Sequence, residues 1–136
     1  MSLFGGIQLF DSLTEVERNT LSLFCQERFL PHGEVLFYEW DDAAALYIVK
    51  SGTLKAYKER SDGEQFLGEI QPNELAGEMA IFDPEFPYKR IASVSAETDT
   101  LLLVILKEAI LQLSTKHPEV FEKISHIIKK RRNISL

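Results

Sequence analysis

A chain of 136 residues is long enough for one hydrophobic core and too short for two. With 45% hydrophobic and 26% charged residues, it has the make-up of an ordinary globular domain. A formal net charge of −6 excludes a surface that binds nucleic acid or anionic membrane as a whole.

The single cysteine, Cys25, excludes an intrachain disulfide and fits a reducing compartment. The longest apolar run, Leu101–Leu106, is too short to span a bilayer. The N-terminus lacks the charged and apolar stretches of a signal peptide, so the expected setting is the cytoplasm, with no membrane contact. The one basic cluster, Lys129-Lys130-Arg131-Arg132, reads as cations favoured by the last turn of a helix, ahead of a nucleic-acid contact.

In chain order, the pattern begins helical. Thr14 and Glu17 have the spacing of a capping box. Leu13, Val16, Thr20, Leu21 and Phe24 mark one face of a short amphipathic helix, expected to stop before Pro31. Cys25 falls within that pattern and reads as core. Residues 11–30 are therefore the expected N-terminal helical part.

From Pro31 the period changes. Strands are expected at Glu34–Tyr38, Ala45–Val49, Thr53–Lys58, Gln65–Ile70, Ile91–Ala96 and Leu101–Leu106. Thr53–Lys58 alternates, which predicts one buried and one wet face. Asp62-Gly63 supplies the positive φ that a tight hairpin turn needs. Turn signals at Pro31–Gly33, Ser51-Gly52, Ser61–Glu64 and Gln71–Glu74 recur at intervals that indicate an all-β sandwich or barrel of about eight short strands. That part covers residues 31–106. Two helices close the chain over residues 107–136, one from Lys107 and one opened by Pro118. Val120, Phe121, Ile124, Ile127 and Ile128 share a face of the last helix, which packs either on the β-domain or on a second copy of the chain. Residues 1–136 form a single domain.

Catalytic chemistry finds little support. His32, His117 and His126 do not cluster at ligand spacing on neighbouring strands, so no metal site is expected. There is no nucleophile elbow and no phosphate-binding Walker loop. One stretch stands apart. Glu78 follows Gly77 and precedes the apolar run Met79-Ala80-Ile81-Phe82; it is either an exposed turn glutamate or the acceptor for a ligand hydroxyl. Arg90 opens the strand Ile91-Ala92-Ser93-Val94; it is either a surface cation beside Lys89 or a partner for phosphate, to which a guanidinium fork is well shaped. Ala92 and Ser93 leave room beside it, and a helical turn at Glu78-Met79-Ala80 would present backbone N–H groups to the same anion.

Taken together, Pro31–Phe37, Leu46–Lys55, Asp62-Gly63-Glu64, Gly77-Glu78-Met79-Ala80 and Arg90-Ile91-Ala92-Ser93-Val94 give the chain a family likeness. It resembles the cyclic nucleotide-binding domain of catabolite activator-type regulators, cyclic-nucleotide-dependent kinases and gated channels. The resemblance implies a mainly β fold: an eight-stranded double-stranded β-helix, or jelly roll, with an N-terminal helix and two C-terminal helices. It implies a ligand site made of Gly77, Glu78, Met79, Ala80, Arg90, Ile91, Ala92 and Ser93. Glu78 would accept from the ribose 2′-hydroxyl and Arg90 would pair with the cyclic phosphate. The ligand would be cyclic AMP ahead of cyclic GMP, with no other cofactor.

The resemblance further implies a non-catalytic sensor whose last helix closes over the base and which dimerises through that helix. No DNA-binding module is recognisable in the chain. The chain departs from the family where a glycine is usual at Trp40 and at Asn73, and in a longer loop from Asp83 to Lys89. The alternative is the same fold without its nucleotide, acting as a protein-interaction module.

Overall fold

The computed structural model describes residues 4, 7–82 and 88–135, with side chains to 131. Two four-stranded antiparallel sheets form the centre of the molecule. The first has the order β1-β8-β3-β6, from Cys25–Leu30, Thr100–Leu106, Ala45–Ser51 and Leu75–Ala76. The second has the order β2-β7-β4-β5, from Val35–Phe37, Ser93–Ala96, Leu54–Arg60 and Gly63–Ile70. Helices α1 (Glu15–Ser22), α3 (Lys107–Lys116) and α4 (Pro118–Ser135) flank them, and a short helix α2 (Glu78–Phe82) lies between β6 and β7. The mainly β, jelly-roll expectation holds.

The alternation of β3 and β8 explains the layering, because successive side chains of a strand point to opposite faces. Ala45, Tyr47, Val49, Leu102 and Val104 join Leu36, Phe37, Leu54 and Val94 in the core between the sheets. Leu46, Ile48, Leu103 and Ile105 face the other way, onto Ile110, Val120, Ile124 and Ile128 of the C-terminal helices. Both faces of these strands are covered, so the sequence reads as a continuous apolar run.

The N-terminal helix is shorter than expected. The Thr14–Glu17 capping box is present, but α1 ends at Ser22 and Cys25–Leu30 forms β1, paired with β8 from Cys25↔Ile105 to Leu30↔Thr100. The helical face is also not the expected one: Leu13 and Leu21 are buried, whereas Val16 and Phe24 are exposed. Gln26, Glu27 and Arg28 carry no apolar alternation, and it is the unpaired edge of β8 that draws them into a strand. Cys25 is half-buried against the helical side of the core.

A second difference is in β4. Its buried residues are Leu54 and Tyr57 rather than a strict alternate set, and its pairing with β5 skips Leu67, a bulge on the β5 side. The Arg60↔Gly63 hairpin places Gly63 at φ +123°, as the Asp-Gly signal requires. Trp40 and Asn73, which stand where the family has glycine, both take positive φ, at 75° and 72°. The turn geometry is retained without the glycine.

Candidate functional site

The site is built at the join between β6 and α2. Gly77 sits at φ +85°, and a Cβ on it would lie 2.3 Å from Arg90 Nη1. Only glycine lets the arginine approach this close. The turn delivers Glu78, Met79, Ala80 and Ile81 into the interior, all buried.

Arg90 is among the most deeply buried side chains, at 2% exposure. Its Nη1 donates to Gly77 O at 3.0 Å and its Nη2 to Ala45 O at 2.8 Å. The guanidinium lies over Phe37, 4.2 Å from the ring centroid, with Tyr47 at 5.6 Å. Burial pulls its pKa below the usual arginine value and Tyr47 opposes the shift, yet the group stays charged. Arg90 Nε is buried with no hydrogen-bond partner among the described residues. A buried cation with an unmatched N–H is costly unless an acceptor meets it.

The Arg90 backbone is fastened to the turn after β2. Trp40 N–H donates to Arg90 O at 2.7 Å, and Arg90 N–H donates to Asp41 O at 2.8 Å. Ala43 N–H donates to Tyr88 O at 2.8 Å, and Tyr88 N–H reaches Ala80 O of α2 at 2.8 Å. Residues 88–90 are thus stitched to α2 on one side and to Trp40–Ala43 on the other. Residues 83–87 of the longer loop lie outside the described residues.

Glu78 is also 2% exposed, and its Oε1 accepts from Arg131 of α4. The Arg131 side chain is 25% exposed. Desolvation lowers its pKa from the usual arginine value, partly offset by Glu74. Between Arg90, α2 and α4 lies a cleft of about 1040 Å³. Gly77, Glu78, Met79, Ala80, Arg90, Ile91 and Ala92 line it, so seven of the eight expected site residues share one wall. Ser93 does not: its Oγ accepts from Glu39 N–H at 2.9 Å and holds the turn after β2.

The opposite wall is α4, with Lys123, His126, Lys130 and Arg131. Sequence reasoning took Lys130 and Arg131 for cations of a helix end. Their spacing was the available signal: Lys130 and Arg131 lie three and four residues beyond Ile127, itself four beyond Lys123, which places all four on one face. Val120, Ile124 and Ile128 are buried in the chain's own core, so the apolar stripe is largely spent within the domain. Phe121 stays about half-exposed and meets Phe82 edge-on. Among the described residues, no group of three or more His, Cys, Asp or Glu side chains could hold a metal ion, and no helix is long and apolar enough to cross a membrane.

Residues 27–117 match the family model of the cyclic nucleotide-binding domain. The chain belongs to this family. Over 127 residues it is 33% identical to the Cyclic AMP receptor protein of Thermus thermophilus, covering 93% of this chain and 57% of the relative. A CRP-like cAMP-activated global transcriptional regulator of Mycobacterium tuberculosis is 28% identical, covering 74% of this chain and 44% of the relative. The chain thus spans about half the length of these curated relatives.

Among solved structures, the Thermus thermophilus Catabolite Activator Protein superposes with a TM-score of 0.76 at 32% identity, covering 92% of this chain and 58% of that one. The regulatory domain of Toxoplasma gondii PKA, crystallised with cAMP, gives 0.68 at 30% identity, covering 76% and 39%. The family is one of regulatory domains that sense cyclic nucleotides or other small ligands.

Proposed function

We propose that this cyclic nucleotide-binding domain binds a cyclic mononucleotide, cyclic AMP ahead of cyclic GMP, in the cleft between Arg90 and α4. The observation that carries the reading is Arg90: a buried guanidinium on the cleft wall whose Nε has no hydrogen-bond partner among the described residues. A singly charged cyclic phosphate supplies that acceptor and neutralises the cation. Glu78, buried on the same wall, takes the ribose hydroxyl. Its carboxylate has about four lone-pair sites, so Arg131 on Oε1 leaves capacity for a second donor. The likeness to proteins named for cAMP supports the choice of base.

The domain is proposed to be non-catalytic, cytoplasmic and homodimeric, with an output that lies outside the described fold. Nucleotide binding shifts the population between two placements of α4, because α4 holds Glu78 through Arg131 and a ligand at Glu78 changes that contact. The test is a calorimetric titration of the chain with cyclic AMP, cyclic GMP and linear AMP. Saturable heat with cyclic AMP, weaker with cyclic GMP and least with linear AMP, is the expected result. No heat with either cyclic nucleotide would sink the reading.

The second reading, a fold that keeps its shape without nucleotide and acts through protein contacts, draws on the same residues. Ala45 O and Gly77 O already accept from Arg90, and Glu78 is already paired. Titration separates the two.

A further inference from the structure

α3 ends at Lys116, α4 begins at Pro118, and His117 stands between them. Its amide donates to Leu113 O at 2.8 Å, and its carbonyl accepts from Val120 N–H at 2.9 Å. Its ring, 18% exposed, lies between two carboxylates. Nε2 is 2.8 Å from Glu17 Oε2 of α1, and Nδ1 is 3.0 Å from Glu119 Oε1 of α4. Each carboxylate is fixed elsewhere. Glu17 Oε1 accepts from Thr14 N–H at 2.9 Å, and Glu119 Oε1 accepts from Ser12 Oγ at 3.0 Å.

A neutral imidazole has one N–H and one lone pair. It can donate to one of these carboxylates, and its lone pair then faces the other. Only the imidazolium donates to both. We propose that His117 is a proton-operated clamp: protonated, it ties the start of α4 to α1; neutral, it releases one of the two. The groups that face the ring are Glu17 from α1 and Glu119 from α4. Both stay ionised while the ring is charged, because both titrate below the usual glutamate range. For Glu17 the leading cause is the Thr14 amide, and for Glu119 its own backbone amide; His117 adds to both.

The clamp is one of several fastenings of α4 among the described residues, the Ser12 bond to Glu119 being another. Lys123 Nζ donates to Gln8 O at 2.8 Å, and Arg131 holds Glu78. Loosening the first end changes how firmly the helix forms the far wall of the cleft. pH thereby acts on α4 from its start, away from Arg90 and Glu78.

The experiment needs no nucleotide, so it stands apart from the binding proposal. Thermal unfolding of the full chain, His117→Gln and Glu17→Gln is followed between pH 5.5 and 8.5, with amide NMR shifts of Val120 and Phe121. His32 and His126 are present in all three proteins and cancel in the differences. The wild type is expected to melt about 3 °C above His117→Gln at pH 5.5, with the gap closing to under about 1 °C at pH 8.5. The Val120 and Phe121 resonances move across this range in the wild type and stay still in His117→Gln. Should that variant not fold, Glu17→Gln carries the test, because an amide at this position keeps the capping bond and removes the charge. Parallel melting profiles in all three proteins, or unchanged pH-dependent shifts in the variants, would overturn the clamp.

Discussion

Glu78 of α2 and Arg131 of α4 form an ion pair across 53 residues of sequence, with the carboxylate fully inside the domain. The pair makes the last helix part of the site wall. Removing one partner strands the other: Arg131→Ala leaves a buried, uncompensated carboxylate. The expected loss is roughly 1–3 kcal/mol, below the fully buried range because Arg131 reaches solvent. Replacing Glu78 with Gln in the same chain should recover most of it. Urea denaturation of the two single variants and the double variant checks this; additive losses would remove the pair from the account.

Gly77 cannot take a side chain without moving Arg90. Alanine there must hold φ +85° and place its Cβ 2.3 Å from Arg90 Nη1. Left-handed backbone alone costs about 1–2 kcal/mol, and displacing the arginine breaks its bonds to Gly77 O and Ala45 O. Gly77→Ala should therefore lower stability by about 3 kcal/mol or more, measured by chemical denaturation.

Trp40 gives the opposite result. It is the only tryptophan, 66% exposed, and held at φ 75°. Trp40→Gly should be neutral or stabilising by up to ~1 kcal/mol. A clear loss would mean that the indole packs against something. Because Trp40 N–H donates to Arg90 O, its emission should also report on events at Arg90.

Cys25 should be slow to react. Burial pushes its thiol pKa up to about 11, so little thiolate exists near neutrality. Alkylation at pH 8 is expected on the order of 100-fold slower than for a free thiol of ordinary pKa. Native and urea-unfolded rates provide the comparison.

How much of this was readable in the sequence differs by element. β3 and β8 announced themselves through apolar runs that only a strand covered on both faces requires. Gly77-Glu78 and Arg90 stood out in the sequence, but residue types left each side chain between a surface role and a ligand contact; the burial of both is what excludes the surface role. β1 was not legible: Gln26, Glu27 and Arg28 are good helix formers, and their state is decided by the edge of β8. Arg131 was not legible as a site residue, since its contact depends on how α4 docks. Ser93 shows the converse. Its Oγ stands off the cleft wall and accepts from Glu39 N–H, while its own O–H keeps its capacity to donate.

The central claim is that Arg90 exists to meet a cyclic phosphate, and calorimetric titration of wild type and Arg90→Ala with cyclic AMP tests it most directly. Circular dichroism checks that the variant is folded, since alanine also leaves Gly77 O and Ala45 O without the donor they have in the wild type. Binding in the wild type that weakens by at least ~30-fold in Arg90→Ala is the predicted result, in line with the loss of a charged hydrogen-bond pair. Equal affinity in the two proteins would contradict the account and place the phosphate elsewhere.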